Sequence, residues 1–164
     1  GVCSRNNEYR YDSTKPNVYW HVAKKQEVEE WLRVVVAATG KDLYIQGEVC
    51  GPKIQENKLK LLEPTLYVFN MTEIDSGRRL SWNEMNSLLG LYPAKFELVP
   101  LYCAGDSFDL KIEDLFELAD GYYDSGARRE GLVIRHADNI GSSVIHGEPL
   151  SFKVISNKFL LKEK

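Results

Sequence analysis

The sequence predicts an α+β protein with two mainly antiparallel sheets and flanking helices. Three observations predict it. Strand-like segments outnumber helix-like ones, although both are present. The two kinds do not alternate as they would in a doubly wound parallel sheet. The length of 164 residues suits one domain with its own core. Hydrophobic residues make up 43% and charged residues 27%, an ordinary globular balance that excludes a disordered tail, a collagen-like repeat and a coiled coil.

In chain order, residues 1–11 read as the end of a strand and a turn. Residues 17–35 read as one helix, with Val18, Val22, Val28, Trp31, Leu32 and Val35 on an apolar face and Lys24, Lys25, Gln26, Glu29 and Glu30 outside it. Gly40 is placed to close that helix. Residues 43–49 alternate, with Leu43, Ile45, Gly47 and Val49 on one face and Tyr44, Gln46 and Glu48 on the other. A turn-rich loop over 51–58 leads to a second strand at 66–71, which puts Tyr67, Phe69 and Met71 on one side. Ser81-Trp82-Asn83-Glu84 is a capping box that starts a helix ending near Gly90. A strand at 97–101, a helix at 112–119, a strand at 131–135, a polar turn at 137–142, a strand at 150–155 and a short helix or turn at 156–162 complete the chain.

Charge and cysteines narrow the function classes. The 21 Lys and Arg against 24 Asp and Glu give a net charge of -3, so the chain is not a globally basic nucleic-acid coat. Cys3, Cys50 and Cys103 are odd in number and contain no C-x-x-C, which argues against a disulfide framework or a zinc site and fits the cytoplasm. They read as small buried or semi-buried residues. His21, His136 and His146 match no metal-ligand spacing. No apolar run approaches the roughly 20 residues of a membrane span.

Three charges fall within or against strands. Glu48 follows Gly47, Glu130 precedes the apolar run 131–134, and Lys153 interrupts the apolar run 151–155. A charge in such a position needs a partner or a cavity. Each taken singly reads as an edge-strand or surface charge. Two carboxylates and a lysine converging on one cleft suit a site for a nucleotide and a metal ion.

The order of the pieces adds a resemblance. Ser4-Arg5-Asn6 comes first, followed by Gln46-Gly47-Glu48 and Leu66-Tyr67-Val68-Phe69-Asn70. Arg129-Glu130-Gly131-Leu132-Val133-Ile134-Arg135 and Ser151-Phe152-Lys153-Val154-Ile155-Ser156-Asn157-Lys158 end the series. This series resembles the covalent nucleotidyltransferase superfamily of ATP-dependent ligases and capping enzymes. Within that superfamily it is most similar to RNA ligases of a bacterial-type branch. The resemblance implies an adenylation-domain fold of the DNA-ligase, ATP-grasp-like type over residues 1–164, with a nucleotide cleft between two sheets. It implies ATP and Mg²⁺ or Mn²⁺ as cofactors and RNA ends as partners, with no membrane.

The resemblance also implies residue roles. Arg5 would contact the nucleotide and its phosphates. Glu48 would accept from the ribose hydroxyls, a task that suits a two-oxygen acceptor. Phe69 would stack on adenine, although a core phenylalanine is the competing reading. Glu130 would help place the metal. Lys153 would meet the α-phosphate and stabilise charge developing there. Arg135 and Lys158 are further phosphate candidates, and Gln46 is a candidate for recognition of nucleotide or RNA. The catalytic pair would be Glu130 and Lys153.

The sequence departs from that family in three places. No lysine here begins a Lys-x-Asp-Gly nucleophile motif, as Lys41-Asp42-Leu43-Tyr44 and Lys111-Ile112-Glu113-Asp114 illustrate. The motif is expected upstream of Gly1, so this chain is expected to be N-terminally truncated and unable to form lysyl-AMP alone. Ile155 stands where many relatives carry a second lysine. Too few residues follow Lys153 for an OB-like domain, which is expected upstream instead. A non-catalytic nucleotide- or RNA-binding fragment and a DNA ligase or capping-type enzyme are the alternatives.

Overall fold

The structure is a computed structural model and describes every residue except 16, 106, 107, 142, 144, 145, 147, 148 and 162–164. The ends of the turn expected at 137–142 and of the element expected at 156–162 fall outside the described residues. The chain folds as two compact units, Gly1–Glu56 with Leu61–Pro100, and Asn57–Lys60 with Leu101–Lys164.

The first unit opens with a two-stranded ribbon, β1 (Val2–Cys3) against β2 (Glu8–Tyr9). Two helices follow, α1 (Val18–Lys25) and α2 (Val28–Thr39), where periodicity alone reads one. The break has a tertiary cause. Glu27 takes a left-handed conformation with φ of 50°. Gln26 turns inward, where its amide donates to Lys95 O at 2.9 Å and its carbonyl accepts from Leu66 N at 2.8 Å. A buried glutamine satisfied on both sides outweighs one more turn of helix. Gly40 does close α2, in the left-handed conformation with φ of 69°.

The sheet of this unit runs in the order β3 (Leu43–Cys50), β4 (Thr65–Glu73), β5 (Glu97–Leu98). β3 and β4 are antiparallel. β5 joins β4 in parallel and is shorter than the pattern at 97–101 predicts. A parallel partner requires a crossover, supplied here by α3 (Trp82–Leu91), whose capping box at Ser81 and Glu84 forms as expected. Among the described residues the strands form small, mainly antiparallel sheets with flanking helices, the α+β arrangement expected, and the β4–β5 pairing is parallel.

The register of β3 and β4 shifts between Gln46 and Gly47, leaving Phe69 as an extra residue on β4. Strict alternation would put Phe69 and Met71 on the same face as Tyr67. The bulge instead brings Met71 and Val68 together in the core, both fully buried. They pack with Val28, Trp31, Val35, Leu43, Leu80, Met85 and Phe96. Trp31 meets Phe96 edge to face at 5.0 Å and donates its indole N–H to Tyr92 O at 2.7 Å. Each such side chain contributes roughly 1.5–3 kcal/mol on burial.

In the second unit, β6 (Gly131–Arg135) and β7 (Ser151–Ile155) form an antiparallel ladder. Its inner face, with Ile134, Phe152 and Val154, packs on Leu115 and Ala119 of α4 (Ile112–Ala119). A last helix, α5 (Asn157–Leu160), is capped by Ser156. Cys3 and Cys103 are exposed and Cys50 is half-buried, so only Cys50 matches the semi-buried expectation.

One charge network ties the first unit together. The Glu73 carboxylate accepts from Arg78 at 2.7 Å, Lys41 at 2.7 Å and Ser76 at 2.8 Å. These bonds, led by Arg78, hold its carboxyl well below the usual range, at about 2. A depressed folded pKa stabilises above the unfolded value and loses that contribution as pH falls through the folded one. The stability of the chain is therefore expected to decline from about pH 4.5 toward about 2. In urea melts across that range, Glu73→Gln is expected to start less stable at neutral pH and to decline less steeply on acidification.

Candidate functional site

On β3, the face away from the core carries Tyr44, Gln46 and Glu48, as the alternation predicts. Glu48 is exposed and stands opposite Tyr67. Among the described residues its carboxylate makes no hydrogen bond and no ion pair, so both oxygens remain available to donors. Phe69 is half-buried and lies outside the core cluster. The bulge at this position leaves Phe69 outside that cluster. Beside it, buried Asn70 donates its amide to Gln46 at 3.0 Å, which fixes the exposed Gln46 on that face.

Gly47 explains why glycine precedes the glutamate. A Cβ there would run into the Tyr67 carbonyl oxygen and stand 2.7 Å from Leu66 Cδ1. The bulge draws β4 that close, and only a missing side chain allows it. Burial pushes the Cys50 thiol up, with Glu48 adding to the effect, which disfavours its thiolate. Arg5 lies in the exposed bend between β1 and β2 and makes no hydrogen bond or ion pair among the described residues. The structure does not join it to Glu48 or Phe69.

The second unit brings Glu130 and Lys153 together. Lys153 pairs with Val133 across the ladder, on the face opposite the α4 contact. Its ammonium meets the Glu130 carboxylate in an ion pair whose side chains are 48% and 46% exposed. The backbone holds this arrangement from below. Ser156 is fully buried, and its N–H donates to Glu130 O at 2.8 Å. Its hydroxyl donates to Asp120 and accepts from Phe159 N at 3.1 Å. A Cβ on Gly131 would collide with Val154 O, so the glycine after Glu130 is also a close-approach position.

Lys158 is ion-paired with Asp120 at 3.1 Å. The Ser156 hydroxyl first, and Lys158 next, hold the Asp120 carboxyl below its usual range. Arg135 shares the outer face of β6 with Val133. Sequence reasoning missed the Ser156–Asp120 support, although a serine just before a short helix is a readable capping signal.

Among the described residues no three Asp, Glu, His or Cys side chains gather as a metal site. Glu130 offers a single carboxylate, already facing an ammonium. That donor set fits a hard divalent ion carried mostly by phosphate oxygens and water, and does not fit an ion held by protein alone.

The RNA ligase family model matches residues 1–155. The chain belongs to the RNA ligase family. Solved structures of Naegleria gruberi RNA ligase agree with this membership. The structure with PPi is 31% identical at a TM-score of 0.79, covering 99% of this chain and 44% of that one. A mutant with ATP and Mn is 32% identical at 0.81, covering 99% and 45%. A mutant with AMP and Mn gives the same values. The chain thus spans less than half the length of those ligases. No curated protein sequence matches it. No helix among the described residues is long and apolar enough to cross a membrane.

Replacing the buried Ser156 removes the hydroxyl from both of its bonds. Ser156→Ala is expected to cost roughly 1–3 kcal/mol in thermal melts. It is also expected to raise the Asp120 titration seen by carboxyl NMR. An unchanged Asp120 would show that Lys158 alone holds it down.

Proposed function

We propose that this member of the RNA ligase family is the adenylation domain, residues 1–164, of an ATP-dependent RNA ligase that joins a 5′-phosphate to a 3′-hydroxyl. One observation carries the proposal. Glu130 and Lys153, 23 residues apart, meet on the exposed face of a short ladder, where an anionic ligand can reach the ammonium. The structures with ATP and Mn or AMP and Mn support the same reading.

The reaction divides a hard condensation into easier steps. A lysine amine attacks the α-phosphorus of ATP, a P–N bond forms, and pyrophosphate leaves. The AMP then passes to the RNA 5′-phosphate, and the 3′-hydroxyl attacks that activated end and expels AMP. In this chain Lys153 would lie against the α-phosphate and offset charge in the attack. Glu48 would take the ribose diol, Phe69 would stack on adenine, and Arg5 would meet phosphate. Glu130 would supply one ligand, direct or through water, to a Mg²⁺ or Mn²⁺ that shields the phosphate charge. The nucleophile would come from a Lys-x-Asp-Gly segment that residues 1–164 do not contain. The partners would be RNA ends and an OB-like domain outside this chain, in the cytoplasm.

Intact mass and calorimetry test the reading together. With ATP and Mn²⁺ the chain is expected to bind nucleotide without gaining mass. Lys153→Ala is expected to weaken binding by about 10- to 100-fold, the value of a charge-assisted hydrogen bond. Phe69→Ala is expected to weaken it by about tenfold, the value of a lost base stack. Absence of nucleotide binding would overturn the proposal. An AMP adduct on this chain would show that one of its own lysines is the nucleophile.

A further inference from the structure

Immediately before Glu130 the second unit carries a tight hairpin, residues 121–129. Arg129 N donates to Gly121 O at 3.0 Å, Tyr123 N to Ala127 O at 2.9 Å and Gly126 N to Tyr123 O at 2.8 Å. Tyr122 and Arg128 face each other across it as a bridge pair. The Arg128 guanidinium lies over the Tyr122 ring at 5.0 Å and donates to its hydroxyl at 2.9 Å.

The two arginines of the hairpin differ. Arg129 points inward, donating to Leu118 O and packing over the Tyr102 ring at 4.7 Å. It anchors the hairpin to the end of α4. Arg128 is held only by Tyr122 among the described residues, and its Nε is buried with no hydrogen-bond partner. The Tyr122 ring that it backs is 59% exposed. An aromatic ring with a cation on one face and water on the other is a stacking platform for a base. The Nη hydrogens of Arg128 that Tyr122 does not take up match a phosphate. The tip is tied by Ser125 Oγ to Lys58 O at 2.6 Å, and the Lys58 ammonium lies 3.9 Å from the Phe159 ring centroid. Exposed Asp124 is the acidic residue of the hairpin.

We propose that hairpin 121–129 is the RNA-docking element of this unit, with Tyr122 stacking on an unpaired base and Arg128 meeting the adjoining phosphate. The inference rests on the ligase reading. It deepens that reading by placing RNA next to Glu130 in the chain, through residues that no nucleotide role uses.

The probe is a fluorescent single-stranded RNA with a 5′-phosphate, titrated by anisotropy at several salt concentrations. Mn²⁺ and ATP are titrated in parallel on the same unsubstituted 164-residue chain. Tyr122→Leu is expected to weaken RNA binding by about tenfold, and Tyr122→Phe to keep it, because the ring and not the hydroxyl carries the stack. Arg128→Gln is expected to lower the slope of log K against log salt by about 0.7, one released phosphate contact on a single strand. A merely structural role would leave that slope unchanged. If the chain binds RNA and neither Tyr122→Leu nor Arg128→Gln alters it, the hairpin proposal fails and the ligase reading stands. The hairpin proposal also fails, with the ligase reading intact, if the chain binds nucleotide but no RNA. If it binds neither, both fail.

Discussion

One extra residue in β4 is the constraint on which the first unit depends. Opposite Gln46 and Gly47 the strand carries three residues where regular pairing allows two. Val68 and Met71, three positions apart, then share the core, while Glu48, Phe69 and Asn70 remain outside it. Without the bulge, alternation would turn either Val68 or Met71 away from the core that both fill. Gly47 is the local requirement for the same distortion, because the Tyr67 carbonyl occupies the space where a side chain would be. The core and the outer face are therefore consequences of the same insertion.

The second unit solves a similar problem with different parts. Glu130 stands at the mouth of the β6–β7 ladder, where regular pairing ends. Gly131 lets β7 approach closely, and the Ser156 amide continues the ladder by one bond to the Glu130 carbonyl. Ser156 then begins α5 and reaches back to Asp120 at the end of α4. One buried serine thus fixes three chain segments around the Glu130 backbone. In both units a glycine stands next to the glutamate of interest, each time because a paired strand comes too near for a Cβ.

Much of this was legible in the sequence where the signal was local. The alternation of 43–49 placed Glu48 on the outer face, and the caps at Ser81 and Gly40 are properties of single turns. The series of short motifs identified the family because it spans most of the chain. Two features were illegible for a common reason. The break at Gln26 depends on Lys95 and Leu66, and the bulge at Phe69 depends on β3. Each is decided by residues distant in the chain, so a periodic pattern of 3.6 or 2 continues straight through it. Glu130 and Lys153 stood out as charges beside apolar strands, which require a partner, but nothing local says that each partners the other or that Lys158 pairs with Asp120, because both pairings join segments apart in the chain.

The ion pairs differ in what they permit. Glu73 is 12% exposed at its side chain and bonded by three donors, so removing any one strands a shielded carboxylate. Such a network is committed to the fold. Glu130 and Lys153 are each nearly half exposed, and an exposed pair is worth only about 0–1 kcal/mol. On the proposed reading, an arriving phosphate would take the lysine from the glutamate at small cost, and the released carboxylate would turn to the cation that accompanies that phosphate. On that reading the weakness of the pair would suit it to binding: it holds both side chains side by side beforehand and would oppose their exchange very little.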